Sequence, residues 1–324
     1  MTDCIKEALF YEKQRDGFVK CDLCPHCCVI APGGTGICGV RRNIEDALFA
    51  ESYSRISSLA LDPIEKKPLN RFYPGSLILS AGGYGCNMKC AYCQNHTISQ
   101  QVTSENPKLC VTLPRQNAHL PNVNSAFVSV ASLDFGVFRG YLQKPETQFA
   151  PLEELLRAAK NTAGNIGIAF TYNEPLIGIE YILDAAPMFR DAGLKVVLVT
   201  NGMINREPLE ALLPYTDAMN IDVKAFNAAK YKELGGDLSA VMKTVERSTA
   251  ACHVEITSLI VPGQNDTIDD MRALAEWLSG ISPEIPLHVT RFFPRYMMSG
   301  GEPTPVETMK TLTETARKIL KYVY

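Results

Sequence analysis

The chain has 324 residues, a formal charge of −3 and 46% hydrophobic residues. That is ample apolar material for a core and too much for a disordered chain. The slightly acidic balance argues against a nucleic-acid protein, and no apolar run is long enough to span a bilayer.

The start, "MTDCIKEALFYEKQRDG", is charged and lacks the apolar core of a signal peptide, so a cytoplasmic location is expected. A reducing cytosol disfavours disulfides, and 11 cysteines is an odd number. Clustered cysteines therefore read as metal ligands. Cys4, Cys110 and Cys252 stand alone and read as small apolar residues.

Residues 1–75 read as an N-terminal module of short strands and loops. The module holds "CDLCPHCCVIAPGGTGICGVRR", with Cys21, Cys24, Cys27, Cys28 and Cys38. Cys21-x2-Cys24 is a common metal knuckle. "GGTG" at Gly33–Gly36 lacks the Gly-Lys-Ser/Thr of a phosphate loop and reads as a turn.

A different pattern begins at "SLILS", Ser76–Ser80. Apolar runs recur at Ile166–Tyr172, Lys195–Gly202, Ala218–Phe226, His253–Gly263 and Pro286–Pro294, with lengths that suit strands buried on both faces. Helical patterns lie between them: "PLEELLRAAKNT", "IGIEYILDAAPMFRDAG" stopping at Gly193, and "DTIDDMRALAEWLSG" opening at Asp266 or Thr267. Strand then helix, repeated, predicts parallel β/α units. The count is about six, fewer than the eight of a complete barrel. Residues 76–324 are thus expected to form an α/β fold, a partial (β/α)6 TIM-like barrel, beside the Cys-rich metal-binding module. An incomplete barrel leaves a lateral opening that suits a large substrate. Residues 102–150 are unusually long for a loop and read as an insertion.

"GCNMKCAYCQN" follows the first barrel strand at once and places Cys86, Cys90 and Cys93 in one tight loop. Iron–sulfur clusters are held by thiolates. A four-iron cubane usually takes four; three pin three irons and leave the fourth open to an external ligand. Zinc with a distant fourth ligand is the competing reading. Gly82, Gly83 and Gly85 let the backbone curl close, at the strand end where β/α barrels keep their active sites.

Cys86-x3-Cys90-x2-Cys93, with an aromatic at Tyr92, resembles the signature of radical S-adenosylmethionine (SAM) enzymes. The longer motif resembles the branch related to pyruvate formate-lyase activating enzymes, and within it the radical SAM enzyme of the AmmeMemoRadiSam system. The likeness runs from Cys21 to Arg291, the insertion apart. It implies a [4Fe–4S] cluster on the three cysteines and SAM on its open iron. In "TYNEP", Asn173 and Glu174 would hold the SAM amino group; a plain strand-to-helix turn is the alternative. In "NIDVKAF", Lys224 would reach the SAM carboxylate, with Asp222 at a polar site nearby; the alternative is a simple ion pair. Thr200 and Asn201 end the third strand and join the cofactor site. Val199 stands where some activating enzymes carry an aspartate, a departure against a cation site there. The Pro262-Gly263 turn would approach the adenine, while Asn265 and Asp266 could equally cap the next helix. His288 would reach the ribose, or else is a satisfied core histidine, with Arg291 on the opposite strand face.

In the module, the resemblance maps Cys21, Cys24, Cys28 and Cys38 onto recurring positions and leaves Cys27 variable. Four thiolates suit structural zinc or an auxiliary cluster, with the balance tipped towards zinc. His26 is a possible substitute ligand; Cys110 and His119 are further candidates in the insertion. A last helix is expected from about Thr304 to Lys321, with Thr304 as cap. The end, "KILKYVY", is abrupt where many relatives continue with more cysteines.

The function implied is reductive cleavage of SAM, with electrons from a flavodoxin- or ferredoxin-like donor. The resulting 5′-deoxyadenosyl radical would abstract hydrogen, by analogy from a glycine of a partner protein. The alternative is modification of a small molecule or another protein. A reading from a different class is a non-catalytic metal-binding interaction protein.

Overall fold

The computed structural model describes residues 5–100 and 145–324, together with the strand Cys110–Val111. Its centre is one seven-stranded sheet built from β1 (Ser58–Pro63), β2 (Leu77–Gly82), β3 (Asn165–Thr171), β4 (Lys195–Thr200), β5 (Ala218–Asp222), β6 (His253–Ile260) and β7 (Leu287–Arg291). The strands lie in chain order. β2 to β7 are parallel, and β1 joins the edge of β2 antiparallel. The sheet curls into a half-barrel: six parallel strands in an α/β fold.

Five longer helices flank the sheet: α1 (Leu152–Asn161), α2 (Ile179–Asp191), α3 (Leu238–Thr249), α4 (Ile268–Ile281) and α5 (Val306–Arg317). Their ends follow local chemistry. Asp237 and Thr267 accept from backbone N–H groups at the starts of α3 and α4. Gly193, at φ +76°, turns the chain after α2.

The two sheet faces bury different partners. Leu79, Phe170, Leu198, Ile221 and Ile256 share a core with helix residues such as Leu155, Phe189, Val245 and Leu274. Alternation sends Ile78, Ala169, Val197 and Ala218 to the other, concave face. There they meet Ile64, Leu69 and Phe72 from the segment after β1. That segment plugs the N-terminal end of the half-barrel and leaves the C-terminal strand tips for chemistry.

Polar groups lock the plug. The backbone N–H groups of Asn70 and Arg71 donate to Glu255 at 3.0 and 2.8 Å. His253 and His288 donate to the same carboxylate at 2.9 and 2.7 Å, and Asn220 donates to the Pro68 carbonyl at 2.8 Å.

The module consists of small antiparallel sheets. One pairs Arg41–Ile44 with Ala47–Ala50; another runs Tyr11–Lys13, Val19–Cys21 and Val29–Ile30, with Cys110–Val111 at its edge. Two local features differ from the sequence expectation. Ser58–Pro63, inside the segment assigned to the module, belongs to the barrel sheet, because its edge pairing covers β2. α5 starts at Val306 after Pro305, and Thr304 is no cap: its hydroxyl turns inward and donates to the Ile260 carbonyl at 2.6 Å. The rest of the expected insertion, up to residue 144, lies outside the described residues.

Burial opposes the charge of Glu255, but the two imidazoles and the two N–H groups outweigh it and pull the carboxyl from 4.5 to about 2. Its contribution is therefore full above about pH 4.5 and is lost as pH falls towards 2. Over that interval wild type should lose roughly 3 kcal/mol more stability than Glu255→Gln, as read from urea unfolding midpoints. Parallel acid limbs for the two proteins would contradict this.

Candidate metal and cofactor site

The cysteine loop starts where β2 ends, and ties from neighbouring strand tips and from the module hold it. Asn173 Oδ1 accepts from the Gly83 N–H at 2.9 Å, and its Nδ2 donates to the Gly85 carbonyl at 3.1 Å. Gly85 has φ +83°, and a Cβ there would lie 2.6 Å from the Cys38 carbonyl and 2.7 Å from Val40. Only glycine permits this approach of loop and module. Asn87 is buried at the centre of the seam. Its Nδ2 donates to the Met203 carbonyl at 2.8 Å, and its Oδ1 accepts from Asn201 at 2.9 Å. Its carbonyl accepts from His26 Nε2 at 2.6 Å. Asn205 closes the same seam, donating to the carbonyls of Asp22 and Cys24 at 2.6 and 3.1 Å.

Around the thiols the donors are aimed at sulfur. The Met88 N–H reaches Cys86 Sγ at 3.4 Å, and Asn201 Nδ2 reaches it at 3.7 Å. Burial pushes the Cys86 thiol well up, and the charges of Glu174, Cys90 and Cys93 push the same way. Burial also raises Cys90, against the pull of Lys224. Thiolates in this position need a cation to balance them. The Tyr92 hydroxyl is buried and makes no well-formed hydrogen bond, while its ring meets Phe292 edge-on at 6.4 Å. Three neighbouring thiols, two N–H donors directed at Cys86 and a buried hydroxyl against Cys90 fit an iron–sulfur cluster. Among the described residues no group of three or more His, Cys, Asp or Glu is placed to hold a metal ion. Cluster thiolates differ from such a set in that each binds its own iron.

The next strand tips supply a polar rim. Glu174, just past β3, is buried. Its carboxylate accepts from Thr200 Oγ1 at 2.7 Å, from the Asn201 N–H at 2.7 Å and from the Leu176 N–H at 3.0 Å. Burial nevertheless dominates these donors and raises the carboxyl to about 7. Three donors leave lone pairs free on a carboxylate, which is what an ammonium ligand would use. At the tip of β5, Lys224 Nζ pairs with Asp222 at 2.5 Å. Burial opposes the Lys224 charge, but Asp222 and the nearby Cys90 and Tyr92 outweigh it and hold the ammonium well above its usual range.

The structure thus brings together Cys86, Cys90, Cys93, Tyr92, Glu174, Thr200, Asn201, Asp222 and Lys224. Asn173 is adjacent, with its amide committed to the glycine loop. His288 belongs elsewhere: it is buried on the concave face, held by Glu255 and stacked on Tyr324. Asn265 braces its own turn, accepting from the Val261 N–H and donating to the carbonyls of Lys224 and Leu259. Thr267 is the helix cap, and Asp266 accepts from the Gly263 N–H. In the module, Cys21, Cys24, Cys28 and Cys38 line one cavity, and Cys27 faces Asn205. The side chains of Cys110 and His119 lie outside the described residues. Sequence reasoning missed Asn87, Asn205 and the buried Arg41–Glu180 pair; Asn87 sits inside the cysteine motif, which was the one available signal.

A half-barrel that opens its first parallel strand into a three-cysteine loop, ringed by the polar tips of the next three strands, is the architecture of a cluster-dependent radical enzyme. The chain belongs to the radical SAM superfamily, whose family model matches residues 82–278. Members use a [4Fe–4S] cluster to cleave SAM reductively, and this chain is an enzyme of that kind. It is 37% identical over 324 residues to the uncharacterized protein MJ0808 of Methanocaldococcus jannaschii, an alignment covering 99% of this chain and 84% of the relative. Among solved structures it is similar in fold to a radical SAM methyltransferase from Sphaerobacter thermophilus, with 12% identity, a TM-score of 0.52, and coverage of 99% of this chain and 76% of that one. A domain of a pyruvate-formate lyase-activating enzyme from Bacteroides vulgatus also matches, with 16% identity, a TM-score of 0.42, and coverage of 49% of this chain and 97% of that one.

The Glu174 carboxyl carries a pH signature. Its folded value of about 7 lies above its ordinary 4.5, so burying its charge costs stability increasingly as pH rises from 4.5 through 7. In the metal-free protein, Glu174→Gln should be more stable than wild type at pH 8, by on the order of 3 kcal/mol, and the gap should close towards pH 5. Urea unfolding at the two pH values measures it; an equal gap at both would contradict the assignment.

Proposed function

We propose that Cys86, Cys90 and Cys93 hold the [4Fe–4S] cluster and that the rim of Glu174, Lys224 and Asp222 receives SAM. The observation that carries the reading is the convergence of three buried or half-buried thiols with a carboxylate and an ammonium at adjacent strand tips. When bound, the cluster supplies the electron that breaks the sulfonium bond of SAM, giving a 5′-deoxyadenosyl radical that takes a hydrogen atom from substrate. The chain's own groups place and insulate the reactants. Glu174, steadied by Thr200 and the Asn201 N–H, offers its remaining lone pairs to the ammonium of SAM. Lys224, steadied by Asp222, offers its charge to the carboxylate. Asn201 directs an N–H at Cys86, which moderates the charge on that sulfur. Tyr92, Phe292 and the plugged lumen keep water from the site.

The substrate we infer is a polypeptide, with a glycine of a partner protein as the hydrogen source. Two features support it: the likeness of the cysteine motif to activating enzymes, and exposed apolar side chains beside the loop. Phe293 and Met297 are among the most exposed large apolar residues, and the Met297 N–H donates to the Ala91 carbonyl between two of the cysteines. A flavodoxin- or ferredoxin-like protein is the proposed electron donor.

Anaerobic reconstitution tests this. With SAM and dithionite, wild type should release 5′-deoxyadenosine, and Cys90→Ala should release none. Glu174→Gln and Lys224→Ala should keep the cluster's absorbance while weakening SAM binding about tenfold or more. A glycyl-radical signal in a co-expressed partner supports the activating role, and release of deoxyadenosine with only small-molecule products rejects it. A reconstituted wild type that leaves SAM intact would sink the proposal.

A further inference from the structure

The chain beyond β7 crosses the open side of the half-barrel. β7 stands at one edge of the sheet, and the cysteine loop follows β2, next to the other edge. Five strand spacings separate β2 from β7, roughly 24 Å along the sheet at about 4.8 Å each. Yet the Met297 N–H donates to the Ala91 carbonyl at 3.0 Å, and the Tyr296 ring stacks on His96 at 4.6 Å and 19°. The six steps from Arg291 to Met297 reach about 20 Å at full extension, so the contact is made across the curl.

This segment is pinned at its base and lightly held at its tip. At the base, Arg291 Nε donates to the Thr304 carbonyl at 2.6 Å, and the Thr304 N–H donates to the Phe292 carbonyl at 3.2 Å. Thr304 is buried, with its hydroxyl on the Ile260 carbonyl. Residues 293–303 therefore form a loop whose ends are joined, as in an Ω-loop. Phe293, Arg295, Met297 and residues 299–302 are exposed, and a Cβ on Gly300 would meet nothing within 4 Å. A segment with so few buried contacts opens locally at low cost. The tip holds by the Met297 bond, the Tyr296 stack and a long Gln264 Nε2 to Met298 Sδ contact at 3.7 Å. Tyr296 makes its stack at φ +53°, a left-handed conformation that a bulky side chain rarely adopts. Its neighbours hold that strain, and release of the tip relieves it.

The tip rests beside the chemistry. Asn173 and Asn201 steady the Cys86 half of the cysteine loop. The segment from β7 takes the other half: the carbonyl of Ala91, one residue after Cys90, and His96, whose Nδ1 lies 3.3 Å from the Cys93 carbonyl. Lower on the same edge, Val323 bridges to Leu287 at the start of β7. The crossing segment thus covers the upper part of the open side, level with the strand tips that carry Glu174, Asp222 and Lys224. Whatever enters there must lift the segment and satisfy what it uncovers, a carbonyl on Ala91 and the face of an imidazole. An extended polypeptide supplies a backbone N–H for the first and a side chain for the second.

We propose that residues 293–303 are a hinged strap, latched to the cysteine loop by Tyr296 and Met297, and that a polypeptide substrate enters the half-barrel by displacing it. This rests on the proposed function only for the reaction carried out beneath the strap.

The test is cysteine labelling of the full chain, freed of metal, with a maleimide carried on a polyethylene glycol chain, a probe of polymer size. Peptide mapping gives the rate at each cysteine. In Tyr296→Ala, Cys90 and Cys93 should react about tenfold faster or more than in wild type, while Cys252, beside the start of β6 at the far end of the barrel, keeps its rate. Tyr296→Phe, which retains the stacked ring, should match wild type. Deuterium exchange at the Met297 amide should quicken in Tyr296→Ala alone. Equal labelling of Cys90 and Cys93 in wild type and Tyr296→Ala overturns the inference, and so does a gain that Cys252 shares. Should Tyr296→Ala misfold by circular dichroism, Met297→Pro decides, because it removes the N–H and leaves the ring: faster labelling of Cys90 and Cys93 supports the strap, and an unchanged rate overturns it. SAM cleavage by reconstituted wild type is scored separately; its failure sinks the proposed function and leaves the labelling rates to judge the strap.

Discussion

The structure depends on the cost of burying thiols. Cys86 and Cys90 sit where burial disfavours their charged form, as do Cys21, Cys24 and Cys38 in the module. A chain tolerates such groups when something cationic is to be bound, and the surroundings are shaped accordingly. N–H groups are directed at sulfur rather than spent on carbonyls. The Tyr92 hydroxyl lies against Cys90, and the Arg41 Nε is left without a partner beside the module cysteines. Both groups of cysteines therefore carry the same physical mark.

The seam between module and half-barrel turns these two regions into one site. Asn87 is its pin, because one residue contacts His26 of the module, Asn201 at the β4 tip and the Met203 carbonyl. Gly85 lets the backbones meet, and Asn205 returns from beyond β4 to hold the carbonyls of Asp22 and Cys24. Position in the rim is thereby transmitted through short hydrogen bonds rather than through long flexible side chains. One strained backbone position lies at this rim: Tyr172 at φ +72°, whose hydroxyl bonds to Asp62 and whose ring lies under the Lys67 ammonium.

Charge is organised by depth. The plug end of the lumen holds the Glu255 carboxylate against two imidazoles, while the open end holds Glu174 against hydroxyl and amide donors alone. The same residue type is driven in opposite directions by these settings: down at the plug, up at the rim. A carboxylate whose oxygens are filled by four N–H donors serves structure. One with three donors, its charge disfavoured by burial, is left able to take a cation, as a cofactor site requires.

Much of this was legible in the residues. Short apolar runs alternating with helical segments specify parallel β/α units, because buried strands and amphipathic helices differ in period and length. All six parallel strands lie where those runs predict them, and the three-cysteine loop carries the spacing through which the chain resembles its superfamily. Local caps such as Thr267 are equally visible, since capping involves only neighbours in sequence. What stayed hidden depends on contacts between distant residues. The role of Asn87, the turning of His288 to Glu255, the commitment of Asn173 to a glycine loop and the recruitment of Ser58–Pro63 to the sheet edge are long-range pairings. Sequence by itself determines periodicity, caps and ligand spacing, which are properties of adjacent residues. Tertiary structure alone decides which polar groups are left with a partner once water is gone, because that balance is struck only when remote segments close on one another.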